Sequence, residues 1–107
     1  MKTPEADLKD KVKKYLSEIP NLFFWMPVPT GYGMRGIPDF VGCYRGIFFG
    51  IETKAPKGKE TPWQERVRNQ IFAAGGFSIV AYDMEEVTCF IQQLIRLASM
   101  RPVRRSE

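Results

Sequence analysis

Apolar positions along the chain recur with two periods, and these lay out seven elements. Leu8, Val12, Tyr15, Leu16 and Ile19 fall on one stripe at helical spacing, with lysines and acids on the opposite face. Thr3 supplies an N-cap and Pro4 suits the first helical position, so a helix is predicted from there to the break at Pro20-Asn21. Leu22 to Val28 reads as a strand of high aromatic density, with Phe23, Phe24 and Trp25 expected in the core, base stacking being the other use of such rings. Phe40, Val41, Cys43 and Tyr44, the pair Arg45-Gly46, then Ile47, Phe48, Phe49 and Ile51 read as strand, tight turn and strand. Thr61-Pro62-Trp63-Gln64 carries a threonine cap, a proline at the first position and a glutamine that closes a capping box. The helix it opens is expected to bury Trp63, Val67, Ile71 and Ala74, and Gly75-Gly76 ends it. Phe77 to Tyr82 reads as a short buried strand. Asp83 and Glu86 then open a last helix, with Val87, Ile91, Leu94, Ile95 and Ala98 facing inward. The order α-β-β-β-α-β-α predicts an α/β fold, a mixed β-sheet flanked by helices.

Composition narrows the classes. A chain of 107 residues, 44% hydrophobic and 26% charged, suits one globular domain over positions 1–107, with a basic tail from about position 100 that carries Arg101, Arg104 and Arg105. No apolar run approaches the about 20 residues of a membrane span, and the basic start lacks a signal-peptide core, so no membrane association is expected. Cys43 in a strand and Cys89 in a helix read as buried thiols of a cytoplasmic protein, in a bacterial cell or a virus-infected host. There is no histidine and no cysteine pair at ligand spacing, which argues against zinc and removes histidine-based catalysis. Any metal would be a hard cation on oxygen ligands, Mg²⁺ or Mn²⁺. The net charge of +4 is compatible with a polyanionic partner.

Three charges interrupt the apolar hairpin: Asp39, Glu52 and Lys54. If Arg45-Gly46 is a two-residue loop, Tyr44 pairs with Ile47 and Asp39 falls opposite Glu52, with Lys54 on the face of Glu52. Opposed residues have Cβ atoms about 4.5–5.5 Å apart, where like charges destabilise a sheet. A divalent ion beside Lys54 would supply the missing counter-charge. Arg-Gly is not the pair that two-residue hairpins favour, and a one-residue slip would send Asp39 to the other face.

Pro38-Asp39 followed by Glu52-Thr53-Lys54 resembles the signature of the PD-(D/E)xK nuclease superfamily. More narrowly, G-I-P-D-F, G-I-E-T-K-A-P-K-G-K, T-P-W-Q and A-A-G-G-F, from about Gly36 to about Val87, resemble the VRR-NUC family of virus-type replication-repair nucleases. The resemblance implies a restriction-endonuclease-like core and metal-dependent hydrolysis of DNA phosphodiesters. It implies that Asp39 and Glu52 ligate the ion, that the Thr53 carbonyl completes the shell, and that Lys54 orients water and stabilises charge. It also implies an acid from the N-terminal helix, best matched by Glu5 with Asp7 as the other choice, and a functional glutamine at Gln64. Both acid and glutamine have adequate structural readings of their own, in the helix dipole and the capping box. Stand-alone members resemble junction resolvases that act as homodimers on branched DNA.

The segment from Gly31 to Gly36 satisfies G-x-G-x-x-G, but it runs into a strand rather than opening a helix, so no nucleotide cofactor is expected. It reads as a mobile loop at the rim of the site, with Arg35 either a phosphate contact or a solvated charge. Lys57 and Lys59, in the turn-rich loop after Lys54, are candidate DNA contacts. Arg66 and Arg68 lie off the helical stripe, toward solvent or DNA. The expected function is thus an endonuclease on branched DNA. A non-catalytic nucleic-acid-binding module and a nuclease on linear duplex are the alternatives.

Overall fold

The computed structural model describes residues 2–101. Helix α1 (Pro4–Ser17) is followed by strands β1 (Leu22–Trp25), β2 (Phe40–Tyr44) and β3 (Ile47–Thr53), helix α2 (Pro62–Ala73), strand β4 (Phe77–Ala81) and helix α3 (Met84–Ser99). The predicted order holds. The basic tail expected at Arg104 and Arg105 lies outside the described residues.

The sheet order is β1-β2-β3-β4, with the first three strands antiparallel and β4 parallel to β3. A parallel neighbour needs a crossover, and α2 is that crossover. Tyr44 pairs with Ile47 across the Arg45-Gly46 turn, as the two-residue loop requires. Both turn residues have positive φ, 46° at Arg45 and 92° at Gly46, which matches a type I′ turn with arginine in the place usually given to asparagine. The register is therefore not slipped. It continues through Phe40 and Ile51 and sets up Asp39 against the end of β3.

One face of the sheet carries the core. Leu8, Val12 and Leu16 of α1 and Val87, Phe90, Ile91 and Leu94 of α3 pack on Phe40, Ile47, Phe49, Ile51 and Ala81. These alternate strand residues share one face because strand side chains alternate. The Thr3 hydroxyl caps α1 by accepting from the Ala6 N–H, as read from the sequence. Thr61 and Gln64 form the reciprocal capping box of α2. Asp83 caps α3 from the Glu86 N–H, but the Glu86 carboxylate reaches one residue further back, to the N–H of Tyr82.

Several expectations are corrected. β1 ends at Trp25 rather than Val28, since Pro27 and Pro29 bring no N–H to a ladder. It is an edge strand whose Leu22 and Phe24 pack on the core, while Phe23 and Trp25 point the other way and stay 67% and 49% exposed. β4 is the opposite edge, and of its residues only Ala81 is buried. In α2 only Val67 is buried; Trp63 and Ala74 are exposed, because the helix covers only β3 and β4. Cys89 is exposed on α3 and Cys43 is half-buried in β2. Among the described residues no helix is long and apolar enough to cross a membrane.

Candidate active site

The site forms where the end of β3, the residue before β2 and the first turn of α1 meet. Carboxylate oxygens of Glu5, Asp39 and Glu52 lie within 4.8 Å of one another. Of the two N-terminal acids it is Glu5 that approaches. Asp7 is exposed and pairs with Lys11 one turn on, at 3.0 Å.

Asp39 is held rather than loose. Its Oδ2 accepts from the Thr53 N–H at 2.9 Å and from the Thr53 hydroxyl at 2.7 Å. Thr53 is fully buried, so these donors are fixed to the sheet. Glu52 is 7% exposed. One of its oxygens, Oε2, lies 3.8 Å from the Lys54 ammonium; the other, Oε1, is buried with no hydrogen-bond partner. A buried carboxylate oxygen without a donor is costly, which makes this atom a candidate ligand for a cation. Burial, and then the nearby Asp39 charge, push the Glu52 carboxyl up to about 8, with Lys54 acting in the opposite sense.

Three converging carboxylates and no nitrogen or sulfur ligand make a hard-oxygen donor set of the kind that takes Mg²⁺ or Mn²⁺. The orphaned Glu52 oxygen fits such an ion. Asp39, Glu52 and Lys54 thus come together as the hairpin register required. Thr53 does something the sequence did not disclose, orienting Asp39 through its N–H and hydroxyl.

One charged residue was missed altogether. Lys9, one turn beyond Glu5 on α1, places its ammonium 3.5 Å from Asp39 Oδ1. The only sequence signal was the i, i+4 spacing to Glu5, shared by many solvated pairs.

The remaining candidates make contacts of their own outside this cluster. The Gln64 side chain accepts from the Thr61 N–H and so is engaged in the cap of α2. The glycine loop is fastened to that helix. The Arg35 guanidinium lies over the Trp63 ring, 4.9 Å from its centroid. Next to it, Gly36 (φ 83°) approaches α2 so closely that a Cβ would fall 2.3 Å from the Trp63 carbonyl oxygen. Lys57 and Lys59 are exposed; between them the Gly58 carbonyl accepts from the Tyr82 hydroxyl at 2.9 Å, which anchors the basic loop. Arg68 is not free for DNA: it forms a two-pronged pair with Glu60 at 2.8 and 3.0 Å.

Neither a protein-family profile nor a curated protein sequence matches the chain. Its fold, however, is shared. A solved structure named "VRR_NUC domain protein" superposes with a TM-score of 0.68, over 87% of this chain and 88% of that one, at 19% identity. The four-stranded mixed sheet flanked by helices is therefore a fold that this chain shares with that VRR_NUC domain.

Proposed function

We propose that this protein is a metal-dependent endonuclease that hydrolyses DNA phosphodiesters, acting as a homodimer on branched, junction-like DNA. The observation that carries the reading is the convergence of Glu5, Asp39 and Glu52 within 4.8 Å beside Lys54, with one buried Glu52 oxygen left without a partner. A binding module has no use for three opposed carboxylates.

In this reading Glu5, Asp39 and Glu52 hold Mg²⁺ or Mn²⁺, with the Thr53 carbonyl as a further ligand. An ion held there would supply Lewis acidity toward the scissile phosphodiester and lower the pKa of nearby water. The chain's own groups do the rest. Thr53 keeps Asp39 in one orientation, so its Oδ1 needs no rearrangement. The Lys54 ammonium orients the attacking water and offsets negative charge growing on the phosphoryl oxygens. Gln64 lies on the helix to which the glycine loop is fastened, where it would position the strand near the cut. Arg35, Lys57 and Lys59 would grip phosphates, which sets affinity rather than sequence preference.

Size and symmetry support the reading of a dimer on branched DNA. A compact chain engages a symmetric junction most economically as two copies about a two-fold axis. The exposed Phe23 and Trp25 on β1, with ring centroids 6.0 Å apart, offer apolar surface for such a contact. The test incubates purified protein with labelled four-way junction, flap, duplex and single-stranded DNA in Mg²⁺, Mn²⁺ or EDTA. Paired nicks in the junction, abolished by EDTA and by Glu52→Ala, are expected. Preference for plain duplex by a monomer would remove the junction reading. Metal-independent cutting, or none on any substrate, would remove the nuclease reading.

A further inference from the structure

The charges around the site are unevenly opposed, and the excess has a definite size. Three carboxylates, Glu5, Asp39 and Glu52, face two ammonium groups, Lys9 and Lys54, leaving one net negative charge when all are ionised. One divalent ion turns that into one positive charge, the complement of a single phosphodiester. A second would leave three positive charges in a half-buried site.

The oxygens of the two hairpin carboxylates are unevenly engaged. Each carboxylate oxygen has two lone pairs. Asp39 Oδ2 spends both on the Thr53 N–H and hydroxyl. Oδ1 faces the Lys9 ammonium as an ion pair at 3.5 Å and keeps its lone pairs for an ion. Glu52 Oε2 faces the Lys54 ammonium as an ion pair at 3.8 Å, beyond hydrogen-bond length, and Oε1 is buried without a partner. Two-metal centres place their ions about 3.5–4 Å apart and share carboxylates between them. Here the positive charge beside Asp39 Oδ1 and Glu52 Oε2 is supplied by two lysines. Lys9 is also not a swinging surface charge: its side chain is 35% exposed and leaves a helix whose Leu8 and Val12 are locked in the core.

We infer that Lys9 is a fixed positive charge in the place a second divalent ion would occupy, so that each chain holds one ion. The inference rests on the metal-site reading proposed above and specifies how many ions that site takes.

The experiment counts Mn²⁺ bound to the full chain, by native mass spectrometry and by the loss of the free-ion electron paramagnetic resonance signal. Wild type, Lys9→Met and Lys9→Arg are compared, without DNA, at millimolar Mn²⁺. One ion per chain is expected for wild type and for Lys9→Arg, and two for Lys9→Met, which keeps the stem and removes the charge. Lys9→Gln serves the same purpose should the methionine variant not fold, judged by circular dichroism. Two ions in wild type, or one in the neutral variants, overturns the assignment of Lys9 while leaving the metal site in place. No ion bound to wild type overturns the metal site itself, and the assignment with it. A lysine that merely buttressed α1 would alter the melting temperature and leave the count at one.

Discussion

Glu52 concentrates the chemistry of the site in one side chain, since burial and Asp39 push its carboxyl up to about 8 from an ordinary 4.5. Between those values the folded protein keeps a proton that the unfolded chain has lost. The part of metal-free stability that Glu52 contributes should therefore be full below about pH 4.5 and be lost as the pH rises to about 8. Thermal melts from pH 5 to 8 in EDTA check this, and Glu52→Gln should flatten the trend and melt higher than wild type at pH 8. An ion must displace that proton, so Mn²⁺ affinity should climb over the same interval and level off above about 8. Cleavage should drop about 10²–10³-fold on Asp39→Ala, Glu52→Ala or Lys54→Ala, read from single-turnover rates, with the fold retained. These three residues were legible in the sequence because strand alternation fixes which side chains share a face once the turn length is known. Lys9 was not, since its contact depends on the rotation and docking of α1, which no local period encodes.

Helix α2 shows how an element can be found by its ends and misjudged along its length. Its capping box is local chemistry and stood in the sequence; Thr61→Ala should cost about 1 kcal/mol in urea denaturation. Its buried stripe was overdrawn. Trp63 sits at the right spacing for the core, yet it is 46% exposed and carries Arg35 on its ring. Which face of a helix is covered depends on how far the sheet extends beneath it, and only β3 and β4 lie under α2. The same limit explains β1, where aromatic density read as core was an edge strand with one face bare. Gly36→Ala tests the loop-to-helix contact. A methyl group 2.3 Å from the Trp63 carbonyl oxygen must push the loop away. A loss of about 1–3 kcal/mol is expected, together with altered tryptophan fluorescence as Arg35 leaves the ring.

Across the whole molecule the topology was the most readable feature, because alternating strand and helix periods with short links allow few arrangements. Assembly and substrate were not, since both belong to surfaces. Charge reversal at Lys57 and Lys59 should weaken binding to every DNA sequence alike. It should also lower the salt slope by about one unit per lost phosphate contact, checked by fluorescence anisotropy across salt concentrations, while cleavage at saturation falls much less. Glu5 lies in the first turn of α1, and its partners Asp39 and Glu52 belong to the hairpin. Helix ends open far more readily than cores. The proposed centre is thus only as durable as the opening turn of the first helix, and any cleavage should fade on warming before the sheet melts. A bound ion would stitch that turn to the hairpin, so amide exchange near Ala6 to Lys9 should slow most when Mn²⁺ is added. In this fold the metal would be a folding clasp for the chain's first turn as well as a reagent.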